Sequence, residues 1–160
     1  MGQDKEHLPT YEGCFLCGRK DANPSTLNLR FRVTDGGVEG VYIPDSRQEG
    51  YRGIVHGGVL CALLDEVIGW AAAVDRKRYF VTAELTVRFL KPLMVGTPVT
   101  VRGRVRKHLF RLSTAEGEVV DGNGKVYAKA SGKYIWMPAG QARNVHEILT
   151  FQEDDVDVLE

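Results

Sequence analysis

Asp65 sits inside an apolar run, Gly57 to Val74, in which only it and Glu66 carry charge. Taking a carboxylate out of water is costly unless it is hydrogen-bonded, paired or protonated, so its presence there needs a reason. One reason is structural, a hydrogen bond to a nearby backbone amide or a pairing between helices. The other is chemical: a carboxylate facing a cleft serves as nucleophile or general base. Glu66 points about 100° away along a helix and meets a cation or solvent. His56-Gly57-Gly58 opens the same run. The first turn of a helix has unpaired N–H groups at the positive end of its dipole, and glycines let a ligand carbonyl approach them. That is an oxyanion-hole layout. The plainer alternative is a histidine N-cap followed by two glycines that allow tight packing. Thr82, on a strand beyond the run, either reflects β-propensity or holds a water for attack.

Spacing constrains how these groups cooperate. Nine residues of helix advance roughly 13.5 Å and turn about 900°, which leaves Asp65 on the face opposite His56. One reaction that uses both must take the helix start from one subunit and the carboxylate from another, so the spacing predicts a two-fold dimer.

The elements that position these residues follow from periodicity. Residues 1–26 read as an N-terminal arm with a Cys14-x-x-Cys17-Gly18 turn, 27–138 as the folded domain, and 139–160 as an acidic C-terminal tail, solvated and poorly ordered. Leu27 to Val33 alternates apolar and polar, Asp35-Gly36-Gly37 turns, and Val38 to Ile43 forms a second strand. Gly57 to Val74 predicts one helix buried nearly all round. Its uninterrupted apolar stretches fall well short of the roughly 20 residues of a membrane span. Val81, Ala83, Leu85, Val87 and Phe89 share one strand face, with Thr82 opposite. Three further strands, 99–106, 110–120 and 125–136, make an antiparallel meander. Ala128, Ala130 and Gly132 line one face of the last, small enough for a helix to lie close. The class is α+β, an antiparallel sheet curled around one long central helix.

Composition narrows the function. Lysine plus arginine and aspartate plus glutamate each total 21, so no net charge steers the chain to nucleic acid or an anionic membrane. An odd count of three cysteines and the absence of a leader-like opening make the cytoplasm the expected compartment. A structural zinc needs four ligands; Cys14 and Cys17 supply two, His7 is near in sequence, and no second pair is visible, so no metal and no cofactor are expected. Packing alone would then stabilise that turn, and Cys61 reads as a small buried apolar residue.

Three motifs carry a resemblance: Gly50 to Gly58, Leu63-Leu64-Asp65-Glu66, and Thr82 to Leu93. Their order and spacing resemble the hotdog-fold thioesterases of the PaaI-like branch, which hydrolyse acyl-coenzyme A thioesters. The resemblance covers about Leu27 to Met137 and implies the hotdog fold. It further implies that the Gly57 amide polarises the thioester carbonyl, that Asp65 of the partner subunit is nucleophile or general base, that Thr82 positions water and that His56 orients the site. Gly58 and Phe89 would line the substrate, and the strand-end Lys107 and His108 would meet coenzyme A. Arg102, Arg104 and Arg106 project from one sheet face and read as solvated. An acyl-coenzyme A substrate and a homodimer, assembled further as a dimer of dimers or homotetramer, are the expected partners, without nucleic acid or membrane. Two departures bear on activity. Many members have Asn six residues before the His, where this chain has Gly50; and the hydratases of the fold place a His near position 70, where this chain has Trp70. A non-catalytic acyl-coenzyme A binding or sensing role is the alternative function.

Overall fold

The computed structural model describes residues 6–159; the start of the arm, residues 1–5, and residue 160 lie outside the described residues. Strands β1 (Arg32–Thr34), β2 (Gly37–Tyr42), β3 (Glu49–Tyr51) and β4 (Ile54–Val55) precede helix α1 (Gly57–Arg76). Strands β5 (Phe80–Phe89), β6 (Val99–Leu109), β7 (Leu112–Asp121) and β8 (Val126–Trp136) follow, and helix α2 (Ala139–Ile148) closes the series. Six strands form one antiparallel sheet in the order β1-β2-β6-β7-β8-β5, so β5 ends the sheet as an edge; β3 and β4 make a separate small hairpin. This is the hotdog arrangement, with the sheet wrapped on α1. The predicted strand 27–33 pairs only at Arg32 and beyond, although Leu29 and Phe31 are buried as its alternation requires.

α1 approaches the sheet through a row of small residues. Gly103 on β6 pairs with Gly117 on β7, and Gly117 with Ala130 on β8. A Cβ at Gly103 would lie 2.8 Å from the Val67 carbonyl oxygen, and one at Gly117 would lie 2.9 Å from the Ile68 side chain. Leu60, Leu63, Leu64, Val67, Ile68, Ala71 and Ala72 fill the space around this contact and are buried. The expectation of a helix buried nearly all round needs correction. Val59, Cys61, Ala62, Asp65, Glu66, Gly69 and Trp70 are only partly covered, and Gly58 is exposed. α1 is long and apolar enough by composition to cross a bilayer, but its aliphatic face is the core of this domain.

A second correction concerns β5. Thr82 pairs with Tyr134 and Glu84 with Lys133, which leaves Ala83 as a one-residue bulge. The bulge shifts the alternation, so Thr82 points to α1 on the same side as Leu85 and Val87, while Val81 is exposed. A regular strand would have aimed the hydroxyl away from the helix.

The arm and tail are folded onto the domain and onto each other. Leu8, Leu16 and Val158 belong to the core, and Thr10 exchanges backbone hydrogen bonds with Thr150. The Arg30 guanidinium donates to Asp154 at 2.8 Å and to Asp155 at 2.6 Å. Asp155 is only 2% exposed, so the acidic run is no solvated tail. It begins with α2 and ends as a clasp, because Arg30 neutralises charges that would otherwise repel one another. His7 Nδ1 lies 2.7 Å from an Asp154 carboxylate oxygen.

Gly103→Ala is expected to destabilise the fold by about 1–3 kcal/mol, because the α1 backbone cannot retreat without opening the core. Gly36→Ala, where a Cβ meets nothing within 4 Å, is the control and stays within about 0.5 kcal/mol of wild type. Denaturant melts compare the two; equal stability of both variants would show that the helix does not lie against the sheet at Gly103.

Candidate active site

Packing of α1 on β8 and the bulge in β5 bring two hydroxyls to one carboxylate. Thr82 Oγ1 donates to Asp65 Oδ1 at 2.8 Å, and Tyr134 OH donates to the same oxygen at 3.1 Å. Tyr134, 1% exposed, also reaches the Asp65 carbonyl at 3.2 Å. Burial, and after it the charge of Asp65, pushes the Tyr134 phenol well above its ordinary range, so it remains a donor. Its ring lies over Gly132, where a Cβ would be 2.5 Å from the ring edge; Gly132 makes room for the tyrosine as much as for α1. Oδ2 of Asp65 has no partner among the described residues. One oxygen is thus fixed and the other is available. Asp65 borders a cavity of about 330 Å³ whose apolar wall includes Tyr11, Trp70, Met137, Ile148 and Leu149. Tyr134 was missed by sequence reasoning; a tyrosine after the small face Ala128, Ala130 and Gly132, in line with the helix, is the signal that could have found it.

The other half of the predicted chemistry lies elsewhere. His56 caps α1: its Nδ1 accepts from the Gly58 N–H at 2.8 Å, which leaves the proton on Nε2. The Val59 N–H goes to the His56 carbonyl at 3.0 Å. Gly57 N–H has no acceptor among the described residues and is the free donor of this turn. Beside it opens a cleft of about 620 Å³ lined by His56, Gly57, Leu60, Phe89 and Pro92. Phe89 is 54% exposed, and its ring would sit 3.2 Å from a Cβ at Gly57. A Cβ at Gly50 would fall 3.1 Å from the His56 backbone, so this position is occupied by the histidine itself and has little room for an asparagine. Gly57 and Asp65 therefore line different cavities of one chain.

The remaining predicted residues are spread along the sheet. Lys107 follows a bulge in β6 and is exposed. His108 is held between Ser113 Oγ at 2.6 Å and the Asp75 carboxylate at 2.5 Å, which ties the end of β6 to the last turn of α1. Arg102, Arg104 and Arg106 pair across strands with Glu118 and Glu116 on the outer sheet face. Behind Asp65, the Glu66 carboxylate turns toward the arm rather than to solvent. Trp70 Nε1 donates to it at 3.0 Å, and burial pushes its pKa up to about 7. Cys14 and Cys17 face it across the same cavity. A hydrogen bond from Cys17, aided by backbone amides, holds the Cys14 thiol below its usual range, while that bond and burial raise Cys17.

Residues 52–128 match the thioesterase superfamily. Two esterase-named proteins of Saccharolobus solfataricus are 39% identical over 84 residues and 37% identical over 93, covering 52% and 57% of this chain. The chain spans only 55% and 66% of the length of these two relatives. Among solved structures, a thioesterase superfamily protein superposes with a TM-score of 0.71 at 27% identity, over 78% of this chain and 60% of that one. The PaaI protein of the Escherichia coli phenylacetic acid degradation operon gives 0.64 at 22%, over 70% and 81%. A hypothetical thioesterase of Streptococcus pneumoniae, solved with coenzyme A, gives 0.64 at 20%, over 69% and 89%. The last two are likenesses of fold.

Replacing His56 tests the cap that organises the helix start. His56→Ala is expected to cost about 1 kcal/mol and His56→Asn to recover most of it, since asparagine is a strong N-cap. Thermal melts decide; an alanine variant as stable as wild type would show that the Nδ1 bond does not hold the turn.

Proposed function

We propose that this chain, whose residues 52–128 match the thioesterase superfamily, hydrolyses an acyl- or aryl-coenzyme A thioester to the free acid and coenzyme A. The observation that carries this reading is the Asp65 carboxylate at the wall of an apolar cavity, fixed through Oδ1 by Thr82 and Tyr134, with Oδ2 unpartnered among the described residues. Two such chains pair along their β5 edges, which expose Val81 and Phe89 and would otherwise remain unpaired. Pairing carries the Gly57 amide of one protomer to the Asp65 of the other. The amide then accepts the developing charge on the thioester oxygen, and Asp65 attacks the carbonyl carbon or takes the proton of an attacking water. Thr82, whose hydroxyl proton is committed to Asp65, offers its lone pairs to that water. Phe89 and the cleft beside Gly57 take the acyl thioester, and the exposed Lys107 meets a coenzyme A phosphate.

A panel of aliphatic and aromatic coenzyme A thioesters, read with a thiol-reactive dye, tests the activity directly. Asp65→Asn is expected to lower kcat by about 100-fold or more while the fold persists, in keeping with the 10²–10⁴-fold contribution of a positioned acid–base group. Thr82→Ala and Tyr134→Phe are expected to lower kcat by less, with KM nearly unchanged. Undiminished turnover in Asp65→Asn would overturn the assignment, and a larger loss in Thr82→Ala would reverse the two roles. Tight binding of thioesters without release of thiol would show a sensor and not an enzyme.

A further inference from the structure

The cavity beside Asp65 has a second wall that thioester hydrolysis does not use. Cys14 and Cys17 come to it from the arm and Glu66 from α1, and their two sulfurs and a carboxylate oxygen all lie within 4.8 Å of one another. Ligand atoms around a tetrahedral zinc, at its usual bond lengths, stand about 3.5–3.8 Å apart. The three groups are therefore close to the spacing of a single cation's shell.

Several features make this more than proximity. The turn is shaped around the Cys14 sulfur, which accepts the N–H groups of Leu16 and Cys17, both at 3.3 Å. Amides aimed at a sulfur favour the thiolate, the form that ligates metal. Gly18 locks the turn: a Cβ there would lie 2.2 Å from the Cys14 carbonyl oxygen and 2.6 Å from that of Glu12. Asn23 braces it from the far side by donating to the Gly13 carbonyl at 3.0 Å. Cys17 is buried. Charge supplies the independent argument. Glu39, Asp45, Glu116, Glu118, Asp154 and Asp155 all pair with arginine. Glu66 instead takes its hydrogen bond from the neutral Trp70 indole, and the groups whose charge it feels are the acidic Cys14 and Asp65. A recessed carboxylate beside two thiols, with a neutral hydrogen-bond donor, is an electrostatic deficit that a divalent cation removes.

We propose that Cys14, Cys17 and Glu66 bind one thiophilic divalent cation, zinc by ligand preference, with its fourth coordination position open to the cavity that holds Asp65. Two thiolates select zinc over magnesium or calcium, and three protein ligands leave a place for water or a ligand atom. The expectation of no metal arose because the third ligand lies 49 positions from Cys17, on another element, and His7 proved to be occupied by Asp154. Bound there, the ion clamps the arm to α1 one residue from Asp65. It thereby fixes the pocket wall that Tyr11 and the cysteines provide.

The test needs no substrate. The full chain, purified without chelator under reducing conditions and incubated with zinc, then desalted, is expected to keep about one zinc per chain by elemental analysis. Cobalt in its place is expected to show thiolate-to-cobalt charge-transfer absorption. Cys14→Ser, which leaves one thiolate of two, should lower that absorption by about half or more, whereas Glu66→Gln, which keeps both thiolates, should retain it and weaken zinc binding about 10-fold or more. Because the Cys17 side chain is buried, circular dichroism and the wild-type titration accompany the cysteine variants. Wild-type protein that keeps no zinc, a cobalt spectrum without thiolate bands, or undiminished binding by Cys14→Ser would each overturn the site. A Cys14–Cys17 disulfide that persists under those reducing conditions would do the same.

Discussion

The close contact of α1 with the sheet over Gly103 and Gly117 governs what the rest of this molecule can do. With no side chains at those two positions, the helix backbone settles against β6 and β7, and this depth sets the height of Asp65 above β8 and β5. At that height the carboxylate meets the Tyr134 hydroxyl from below and the Thr82 hydroxyl from the side. Larger residues in the glycine row would lift the helix, and both donors would lose their acceptor together. Packing density and acid–base geometry are one constraint here: the core fixes the distance, and the distance fixes which oxygen of Asp65 stays free.

Much of this was legible in the sequence because it depends on local periodicity. The central helix, the meander of β6 to β8, the small face of β8 and the histidine cap all follow from short-range pattern. The opposition of His56 and Asp65 follows from helical pitch alone. What was not legible depends on register and on distant pairing. A bulge at Ala83 changes which side of β5 Thr82 occupies, and no alternation rule reveals a residue that has no partner. Nothing local distinguishes Tyr134 from other strand aromatics; only the fold brings its ring over Gly132 and its hydroxyl to Asp65. Gly103 and Gly117 carry no signal of their own in the sequence; it is their pairing that puts them in one row under α1. The acidic terminus looked solvated because Arg30, which neutralises it, lies more than 120 positions away.

The division of labour along the chain bears on specificity. His56, Gly57, Asp65 and Thr82 all fall within the stretch that matches the thioesterase superfamily, residues 52–128. The cavity in front of Asp65 is closed largely from outside that stretch, by Tyr11, Cys14 and Cys17 of the arm, by Met137 after β8, and by Val145, Ile148 and Leu149 at α2. The residues His56, Gly57, Asp65 and Thr82 thus share one stretch, and much of the wall in front of Asp65 comes from segments outside it. Arg30 and its two aspartates hold those segments in place, so the clasp at the chain ends and the shape of the cavity are mechanically linked.

The central claim is that each active site is built from two chains, with Gly57 from one and Asp65 from the other. A bulky substitution at Gly57 and Asp65→Asn each disable one half, and each homodimer alone is nearly inactive. Mixed dimers of the two variants contain one intact site and one with both lesions. Co-refolding equal amounts is therefore expected to restore up to about a quarter of wild-type turnover on symmetric-dimer logic. Verified mixed dimers with no recovered turnover would contradict the account, because they would place both groups at work within a single chain.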